Sequence, residues 1–567
     1  MAPIRANPTS RASRLTMRYA MRVIFALCLL AALLLPNTLN TAQTISASVL
    51  LPPFGSLDPV ALAPTDLSGR DVVENLFAGL TRYDPSSNQV VPALAERWSV
   101  SADGREWTFT LRAEAQWVRV QDGKVEAVRP IVAGDFVFGL RRACDAAIPN
   151  PVAKTVYIIS GCRKIATANP LLVDDVFIAR ELGARVVNAR TLSLRLEFPA
   201  PMLPYLLTLP EFRPVPRESV ALAPNGGDWA IPNAVLSSGA YALAARDAES
   251  LTLLRNPFWH EQAGSIQQVT ITFAAAEAIP DLFTARNADF ARLDRNGAAR
   301  LAATTPDFII SAPSPAVTML GFAAERSISL NESFRRALAL AIDRNALAAA
   351  IGAVQPTWRL TTAAAADMRL LPEAGVFAPE AAKAQLAAAG YANCRLPERV
   401  DLVIEDTPLM EALANALLVQ WQANLGCPTS SFRVVKRNAE GVRRLADGTF
   451  STIRSTDPIR PHMWLYTWSP DHLDVTAWTG DGIHCRYGFL KSYVPCGEAD
   501  QVVDTALLQP DLEIRAGSIE QAEALYFGEN GTFPVVPLLS EARFAARRLA
   551  LQGTSAAAPL WFAAWSR

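Results

Sequence analysis

The sequence predicts a large α/β protein whose chain is divided between two lobes. The chain has 567 residues, half of them hydrophobic, which is more than one hydrophobic core usually organises. In the first 300 residues the apolar positions mostly follow the two-residue period of strands, whereas after Pro315 they follow the period of helices. No internal repeat or low-complexity linker separates the two parts. We therefore expect interwoven lobes rather than domains strung in a line.

Four segments of the first half have the alternation of half-buried strands. In WTFTLR (107–112) and TLSLRLEF (191–198), apolar residues alternate with polar ones. LTLLRN (251–256) and VTITF (269–273) repeat the pattern on either side of a turn-rich stretch. One face of each segment would be buried and the other exposed, which predicts strands.

The second half contains three segments with the spacing of amphipathic helices, namely 334–351, 379–389 and 409–426. The second begins with a proline and is followed by a glycine, and the third ends at a glycine, as helix starts and ends commonly do. RVDLVIED (399–406) and FRVVKR (432–437) predict strands on either side of the third helix. A helix between two strands is typical of an α/β lobe.

The N-terminal segment 1–45 has the pattern of a secretory signal peptide. The first 57 residues contain no Asp or Glu, and five arginines precede the apolar run VIFALCLLAALLL (23–35). Thirteen apolar residues closed by Pro36 are short for a span that needs about 20 residues. We therefore expect export to the periplasm or the cell surface. The sequence matches a signal-peptidase cleavage site after Ala42 or Ala47 only imperfectly. Retention of the segment as an uncleaved signal anchor is therefore an open alternative.

Composition and motifs argue against two classes of function. The formal net charge is -1, and no basic block follows the N-terminus, which argues against nucleic-acid binding. The chain contains no GxSxG, SxxK, HExxH or P-loop sequence and only four histidines, which argues against the common hydrolases. We expect no enzymatic activity and no cofactor.

Six cysteines follow the signal segment, which allows three disulfides with 15 connectivities. Pairing of neighbours along the sequence closes the shortest loops and has the smallest entropic cost. The pairs favoured on that ground are Cys144 with Cys162, Cys394 with Cys427, and Cys485 with Cys496. The alternative is a metal site, although the spacing of its residues matches no common motif. Its ligands would be His484, Cys485, Cys496 and either His462 or His472.

A series of motifs in a fixed order resembles one known family. The opening motifs are Asp58-Pro59, ENLFAGLTRYD (74–84), VVPALAERWSVSADG (90–104) and WTFTLR (107–112). Further motifs are GDFVFGLRRACD (134–145), GGDWAIPNAVLSSGAYAL (226–243), LTLLRNPFWH (251–260), NESFRRALALAIDRNAL (331–347), PEAAKAQLAAAGY (379–391) and FPVVPLL (533–539). Together they resemble the bacterial extracellular solute-binding proteins, family 5, which serve peptide-importing ABC transporters.

The resemblance implies a two-lobed periplasmic-binding-protein fold of type II, with an extra subdomain in lobe one and the ligand enclosed between the lobes. Strands that link the lobes would form a hinge. On that template lobe one combines residues 46–85, 199–313 and 515–567. The extra subdomain is 86–198, and lobe two is 314–514.

The resemblance also implies a ligand anchor in TWSPDHLD (467–474). Peptide-binding relatives have in the cleft a tryptophan and, three residues later, an aspartate that pairs with the ligand's α-amine. Trp468 and Asp471 have that spacing. A carboxylate can hold the ammonium that every peptide with a free amino end carries, through a charge-assisted hydrogen bond. Asp471 is otherwise a solvated loop residue, and Trp468 a core aromatic.

Two further ligand positions rest on location alone. The loop ALAPTD (61–66) lies where relatives supply backbone contacts, which selects Ala63, Pro64 and Thr65. Asp294 follows a segment that leads to a polar cleft residue in the family.

The function that the resemblance implies is a monomeric receptor that captures peptides and delivers them to the permease subunits of an ABC transporter in the membrane. Other solutes stay open, namely an oligosaccharide, an opine or a metal chelate. A sensor or chaperone that keeps the binding fold is a further alternative.

Overall fold

A mixed β-sheet runs through the molecule and joins two hydrophobic cores. The computed structural model describes residues 44–567 except 149, 152, 170, 172, 223–228, 262–263, 324–325, 353, 366–375, 450–460, 491–495 and 558. The expected signal segment 1–45 lies outside the described residues, apart from its last two.

The strands are short except for two long ones, β14 and β19. They are β1 (Ser46–Leu51), β2 (Thr81–Asp84), β3 (Gln89–Pro92), β4 (Ala95–Val100), β5 (Glu106–Leu111), β6 (Gln116–Gln121), β7 (Lys124–Pro130), β8 (Ala184–Asn188), β9 (Thr191–Arg195), β10 (Tyr241–Arg246), β11 (Ser250–Arg255), β12 (Gln268–Phe273), β13 (Phe290–Leu293), β14 (Ile309–Phe322), β15 (Val354–Pro356), β16 (Val400–Glu405), β17 (Phe432–Arg437), β18 (Met463–Trp468) and β19 (Val535–Arg547).

The longer helices concentrate in the second half of the chain. The helices are α1 (Leu67–Leu76), α2 (Ala133–Ala143), α3 (Ala153–Val156), α4 (Cys162–Thr167), α5 (Asp175–Glu181), α6 (Leu203–Leu206), α7 (Arg217–Val220), α8 (Ile279–Ala285), α9 (Arg295–Ala302), α10 (Ser327–Leu330), α11 (Glu332–Leu340), α12 (Arg344–Ile351), α13 (Pro379–Ala388), α14 (Pro408–Leu425), α15 (Ala439–Ala446), α16 (Glu498–Leu508) and α17 (Leu512–Phe527). Short 3-10 turns, among them Pro59–Ala61 and Pro210–Phe212, connect some of these elements.

The main sheet has the strand order β10-β11-β12-β1-β13-β19-β14-β18-β16-β17, and β15 pairs with β19. Strand β1 is parallel to β12 and β13, and β16 is parallel to β17 and β18. The central strands β19 and β14 are antiparallel, and their register is interrupted between Pro313 and Val317. The two parallel regions therefore lie on opposite sides of one antiparallel pair.

The two central strands pass from one hydrophobic core to the other. Ala545 of β19 is buried in the first core with β1, β11 and β12, whereas Val536 of the same strand is buried in the second. Val317 to Phe322 of β14 also contribute to the second core. We call the part built on the first core lobe one and the part built on the second core lobe two.

Lobe one carries a subdomain with its own sheet, in the order β4-β5-β9-β8, and the hairpin β6–β7. Its apolar residues, such as Phe109 and Leu192, are continuous with the first core. In lobe two, helix α17 packs with Ile519 and Ala522 in the second core. Most of this helix falls in the range 515–567 that the family template assigns to lobe one.

Most elements expected from the sequence are confirmed, because their apolar residues face a core. Strands β5, β9, β11, β12, β16 and β17 and helices α13 and α14 lie where the periodicity predicts them. The prediction of a single helix over 334–351 is wrong, since two helices, α11 and α12, occupy this range. Asp343 explains the break: its side chain accepts a 3.0 Å hydrogen bond from the N–H of Ala346 and caps α12.

The three disulfides join Cys144 to Cys162, Cys394 to Cys427 and Cys485 to Cys496. These are the pairs favoured by short loop closure. The first ties α2 to α4 inside the subdomain, and the other two lie in lobe two.

Buried ion pairs fix the opening motif to the rest of lobe one. The carboxylate of Asp58 accepts hydrogen bonds of 3.2 and 2.7 Å from Arg142 of α2, and one of 3.0 Å from the indole of Trp229. Asp71 of α1 pairs in the same way with Arg292 of β13. The Asp-Pro motif therefore has a structural role, because Asp58 holds its segment against α2 and Trp229.

Within the described part of the chain, none of the helices combines the length and the apolar character that crossing a bilayer requires.

Candidate functional site

Strand β18 leads the chain to the boundary between the lobes. Its last residue, Trp468, lies opposite Val317, the residue at which the register of β14 resumes. The loop that follows, with Ser469 and Asp471 exposed, therefore begins beside the crossing of the two cores. This geometry places the expected anchor where both lobes can reach it.

Asp471 makes a contact that joins the two sides. Its Oδ2 atom accepts a hydrogen bond of 3.0 Å from the hydroxyl of Thr155, which lies in α3 of the lobe-one subdomain. The carboxylate has a second oxygen, and an ionised carboxylate accepts several hydrogen bonds. Asp471 can therefore hold a further donor while it keeps Thr155.

Trp468 is buried, with 8 % of its surface exposed. Its ring stacks on Phe489, at 6.4 Å between centroids. It also covers Gly482, where an added Cβ atom would lie 2.9 Å from the ring. These contacts make Trp468 a support of the loop that carries Asp471, whether or not a ligand touches it.

His472 fixes the other side of that loop. It is buried, and its Nε2 atom lies 3.0 Å from a carboxylate oxygen of Asp481. Burial alone would lower the pKa of His472, but the hydrogen bond to Asp481 and the charges of Asp481, Asp474 and Asp471 raise it above its usual value.

Glu211 is a second carboxylate in the electrostatic environment of Asp471. It lies in the 3-10 turn Pro210–Phe212, with 1 % of its surface exposed. Burial, reinforced by the negative charge of Asp471, raises the pKa of Glu211 to about 7, although Arg70 and Arg213 act in the opposite direction.

The polar atoms around Glu211 are incompletely paired. Its Oε1 atom is buried and has no hydrogen-bond partner among the described residues, and the same is true of the Nε atom of Arg70. Arg213, in contrast, is committed to an ion pair with Glu74. Glu211 and Arg70 thus have opposite charges, and each has one buried polar atom without a hydrogen bond among the described residues.

A further cation lies on the central strand of the sheet. Burial and the nearby charge of Arg292 lower the pKa of Arg543 on β19 to about 10, and Arg70 and Tyr83 also lie within electrostatic range. With that pKa, Arg543 stays positively charged at neutral pH. Arg543 and Arg70 are therefore two cations within electrostatic range of each other.

The remaining expected ligand positions have local roles in the structure. The carbonyls of Ala63 and Thr65 accept backbone hydrogen bonds in the turn before α1, and Pro64 and Thr65 are exposed. Asp294 caps α9 by accepting a 2.6 Å hydrogen bond from the N–H of Gly297. Among the described contacts, none links these residues to Asp471, and a role in ligand binding stays a prediction for each of them.

One group of side chains in the described residues has the proximity of a metal site. His484, Cys485 and Asp500 have ligand atoms within 4.8 Å of one another. The sulfur of Cys485 is bonded to Cys496 and therefore supplies no thiolate. The donor set does not fit the metal site that was the alternative to the disulfides.

Sequence reasoning missed Glu211, Arg70 and Thr155. Glu211 stands in LTLPEFRPVP (207–216), where apolar residues and prolines surround a single acid. An acid in such a stretch indicates a buried carboxylate, which requires a partner or a function. No comparable signal marks Thr155.

The profile of the bacterial extracellular solute-binding proteins, family 5 Middle, matches residues 89–474. The periplasmic murein peptide-binding protein MppA of Escherichia coli is 26% identical over 385 residues, which cover 65% of this chain and 68% of the relative. The probable deoxycholate-binding periplasmic protein YgiS of the same organism is 28% identical over 404 residues, or 69% and 72% of the two chains.

Solved structures share the fold. The unliganded open form of MppA, the periplasmic murein tripeptide-binding protein, superimposes with a TM-score of 0.76 at 22% identity and covers 92% of this chain and 97% of its own. OppA of Haemophilus influenzae in complex with RPPGFSPFR gives a TM-score of 0.62 at 20% identity, with 92% and 99% covered. The two-lobed fold is shared with these structures, and the matched profile spans more than half of the chain. The chain belongs to the bacterial extracellular solute-binding proteins, family 5.

Proposed function

We propose that this protein is an extracytoplasmic receptor that captures peptides between its two lobes and delivers them to the permease of an ABC transporter. The observation that carries the proposal is the position of Asp471, which projects from lobe two and accepts a hydrogen bond from Thr155 of lobe one. MppA is named for murein peptides, and a relative of the same fold, OppA, has been solved in complex with RPPGFSPFR.

Asp471 suits the one positive charge that peptides with a free amino end have in common. The ammonium would bind the second oxygen of the carboxylate through a charge-assisted hydrogen bond. Edge groups of the backbone can then hold the peptide main chain without selecting its side chains. Anchoring one end in this way permits a range of peptide sequences.

The central strands supply the hinge in this proposal. Strands β14 and β19 run through both cores, and their pairing is interrupted between Pro313 and Val317. An interruption of the ladder at the crossing lets the lobes rotate with little change inside either core. The closed form would be the one that the permease recognises.

The N-terminal pattern supports a location outside the cytoplasm, in the periplasm or at the cell surface. Residues 1–45 would direct export and be removed, or would stay as a signal anchor. The three disulfides suit an oxidising compartment. We propose that the exported chain acts as a monomer.

A ligand other than a peptide is the second candidate, because the relative YgiS is named for deoxycholate. The carboxylate of Asp471 opposes the binding of an anion such as a bile acid. It suits an amine, which includes an opine-like solute, better than it suits a neutral oligosaccharide. A sensor with the same pocket would bind the same ligand without a permease.

Calorimetric titration of the exported chain with a library of tripeptides and tetrapeptides tests the proposal. Asp471→Ala should weaken binding by about 3–5 kcal/mol, the scale for removal of one partner of an ion pair that becomes buried when the lobes enclose the ligand. Asp307→Ala, at an exposed position of lobe one, is the matched control and should change nothing. Equal affinity for free and N-acetylated peptides would exclude the ammonium anchor, and binding of deoxycholate alone would favour the second candidate.

A further inference from the structure

Strand β14 contains a short unpaired stretch where it crosses between the lobes. It pairs with β19 up to Pro313 and again from Val317, and residues 314–316 are left out of the register. Its pairing with β18 also begins only at Val317. Proline has no N–H for a strand ladder, and Pro313 and Pro315 both stand here. The carbonyls of this stretch therefore need partners from elsewhere.

Side chains of lobe two supply these partners. The hydroxyl of Thr362 donates a hydrogen bond of 3.0 Å to the carbonyl of Ser314, and the indole N–H of Trp478 donates one of 2.9 Å to the carbonyl of Pro315. Both donors are buried, and Trp478 belongs to the second core. Ser314 and Pro315 are buried as well, whereas Pro313 is exposed. The unpaired stretch is thus attached to lobe two.

Trp478 also lies in the segment that supports the loop of Asp471. This segment, Ala477–Ile483, is a π-helical turn, a conformation that is uncommon and frequent at functional sites. Two contacts join it to the loop. Asp481 lies 3.0 Å from His472, between Oδ2 and Nε2, and Gly482 lies under the ring of Trp468. One turn of the chain therefore contacts both the expected anchor loop and the crossing of β14.

We propose that Trp478, together with Thr362, is a positioning residue of the hinge, which confines the bending of β14 to Pro313 and keeps the loop of Asp471 in a fixed position relative to it. The proposal rests on the proposed function for the lobe closure that this hinge serves. It adds the residues that set the pivot. Neither side chain contacts the ligand in this arrangement.

Confining the pivot makes closure less costly. If residues 314–316 moved freely in the open form, closure would have to order three more residues, and the ligand would have to offset that loss of entropy. With their carbonyls held, this order exists before a ligand binds. The open and closed arrangements then differ mainly by a rotation at Pro313, and the ligand shifts the equilibrium between them.

Two side chains of lobe two make the same kinds of hydrogen bond away from the crossing and are matched controls. The indole of Trp421, which is also buried in the second core, donates a hydrogen bond of 3.2 Å to the carbonyl of Leu338. The hydroxyl of Thr357 donates one of 2.8 Å to the carbonyl of Arg359. Their loss should lower stability without affecting the hinge.

The first measurement needs no ligand. Spin labels at Ala299→Cys in α9 of lobe one and Ala384→Cys in α13 of lobe two, both exposed positions, report the distribution of distances between the lobes by pulsed electron paramagnetic resonance in the full exported chain. Trp478→Phe should broaden this distribution, and adding Thr362→Val should broaden it further.

The matched variants and the affinity complete the experiment. Trp421→Phe and Thr357→Val should leave the width of the distance distribution unchanged. In calorimetric titration with the tripeptide and tetrapeptide library, Trp478→Phe should bind roughly fivefold more weakly, the factor for one hydrogen bond of ordinary net strength. Trp421→Phe should keep the affinity. Thermal unfolding verifies that each variant is folded, and if Trp478→Phe is not, Thr362→Val alone decides.

The outcomes separate the two proposals. A broader distribution in Trp478→Phe than in Trp421→Phe supports the confined pivot. An unchanged width in Trp478→Phe, or equal broadening in the two tryptophan variants, overturns it, and the receptor function stands if peptides still bind. If no peptide binds the original protein, the receptor function fails, while the distances still decide whether Trp478 restricts the movement of the lobes.

Discussion

Thr155 donates a hydrogen bond of 3.0 Å to Asp471, although 316 residues separate them in the sequence. The contact crosses from the subdomain of lobe one to the loop after β18 in lobe two. It occupies one oxygen of the expected anchor and leaves the other available. The orientation of the Asp471 carboxylate therefore depends on the opposite lobe.

Thr155→Val should weaken peptide binding by about 1 kcal/mol, the usual net contribution of one hydrogen bond. Valine keeps the shape of threonine but cannot donate to Asp471, so the carboxylate becomes less well oriented. Titration calorimetry measures the change, and Thr155→Ser, which keeps the hydroxyl, should retain most of the affinity. Tighter binding by the valine variant would mean that the hydroxyl competes with the ligand.

Asp58→Asn should lower the free energy of unfolding by about 3–5 kcal/mol, because it leaves Arg142 buried with an uncompensated charge. Urea unfolding followed by fluorescence measures the loss. Lys383→Gln is the matched control, since Lys383 and Glu380 pair at the surface with 50% and 87% of their side chains exposed. That change should cost less than about 1 kcal/mol, and an equal effect of the two variants would contradict the structural role of Asp58.

The stability of the unliganded protein should fall between pH 4.5 and pH 7 through Glu211 and Glu523. Burial raises the pKa of each to about 7 from an ordinary value of 4.5. Over that range the unfolded chain has released the proton while the folded protein still holds it, so raising the pH favours unfolding. Each group accounts for up to about 3 kcal/mol, which is lost once the pH exceeds 7.

Glu211→Gln isolates the contribution of one group, since glutamine resembles the protonated acid. The variant should match the original protein near pH 4.5 and exceed its stability at pH 8, as measured by urea unfolding at both values. Parallel pH profiles for the two proteins would show that Glu211 is ionised at little cost in the folded state.

Gly321→Ala should destabilise lobe two by roughly 3 kcal/mol, the upper range for overpacking. Gly321 of β14 lies opposite Trp464 of β18, and a Cβ atom there would lie 2.0 Å from the indole. Combining the change with Trp464→Val should cost less than the sum of the two single changes, because the clash is gone. Additive losses in urea unfolding would contradict the close packing at this position.

The fold was largely predictable because its segments carry their periodicity locally. Strand β11 alternates buried and less buried residues along SLTLLR, and α14 ends at Gly426 in the left-handed conformation, as the sequence indicates. The break at Asp343 was missed because the apolar spacing continues across it. An aspartate inside an apolar pattern begins a new helix only when its side chain accepts a hydrogen bond from a backbone N–H a few residues later, as Asp343 does from Ala346. The sequence pattern does not show whether it does so.

The site was less predictable, since it depends on distances between remote segments. Asp471 follows from the family resemblance, and Asp294 has the helix-capping role that its place before α9 favours. Glu211 lies 260 residues before Asp471 in the sequence, and Thr155 lies 316 residues before it. Only the packing of the lobes brings such residues together.

The position of β19 has a consequence for biosynthesis. This strand lies between β13 and β14 in the middle of the sheet, yet it is formed by residues 535–547 of a 567-residue sequence. Until these residues have left the ribosome, β13 and β14 are open edges, and unpaired edges promote association with other chains. Neither lobe can complete its sheet during most of translation. The nascent chain should therefore remain unfolded for a long time, and is expected to depend on a chaperone that holds it until the last strand is available.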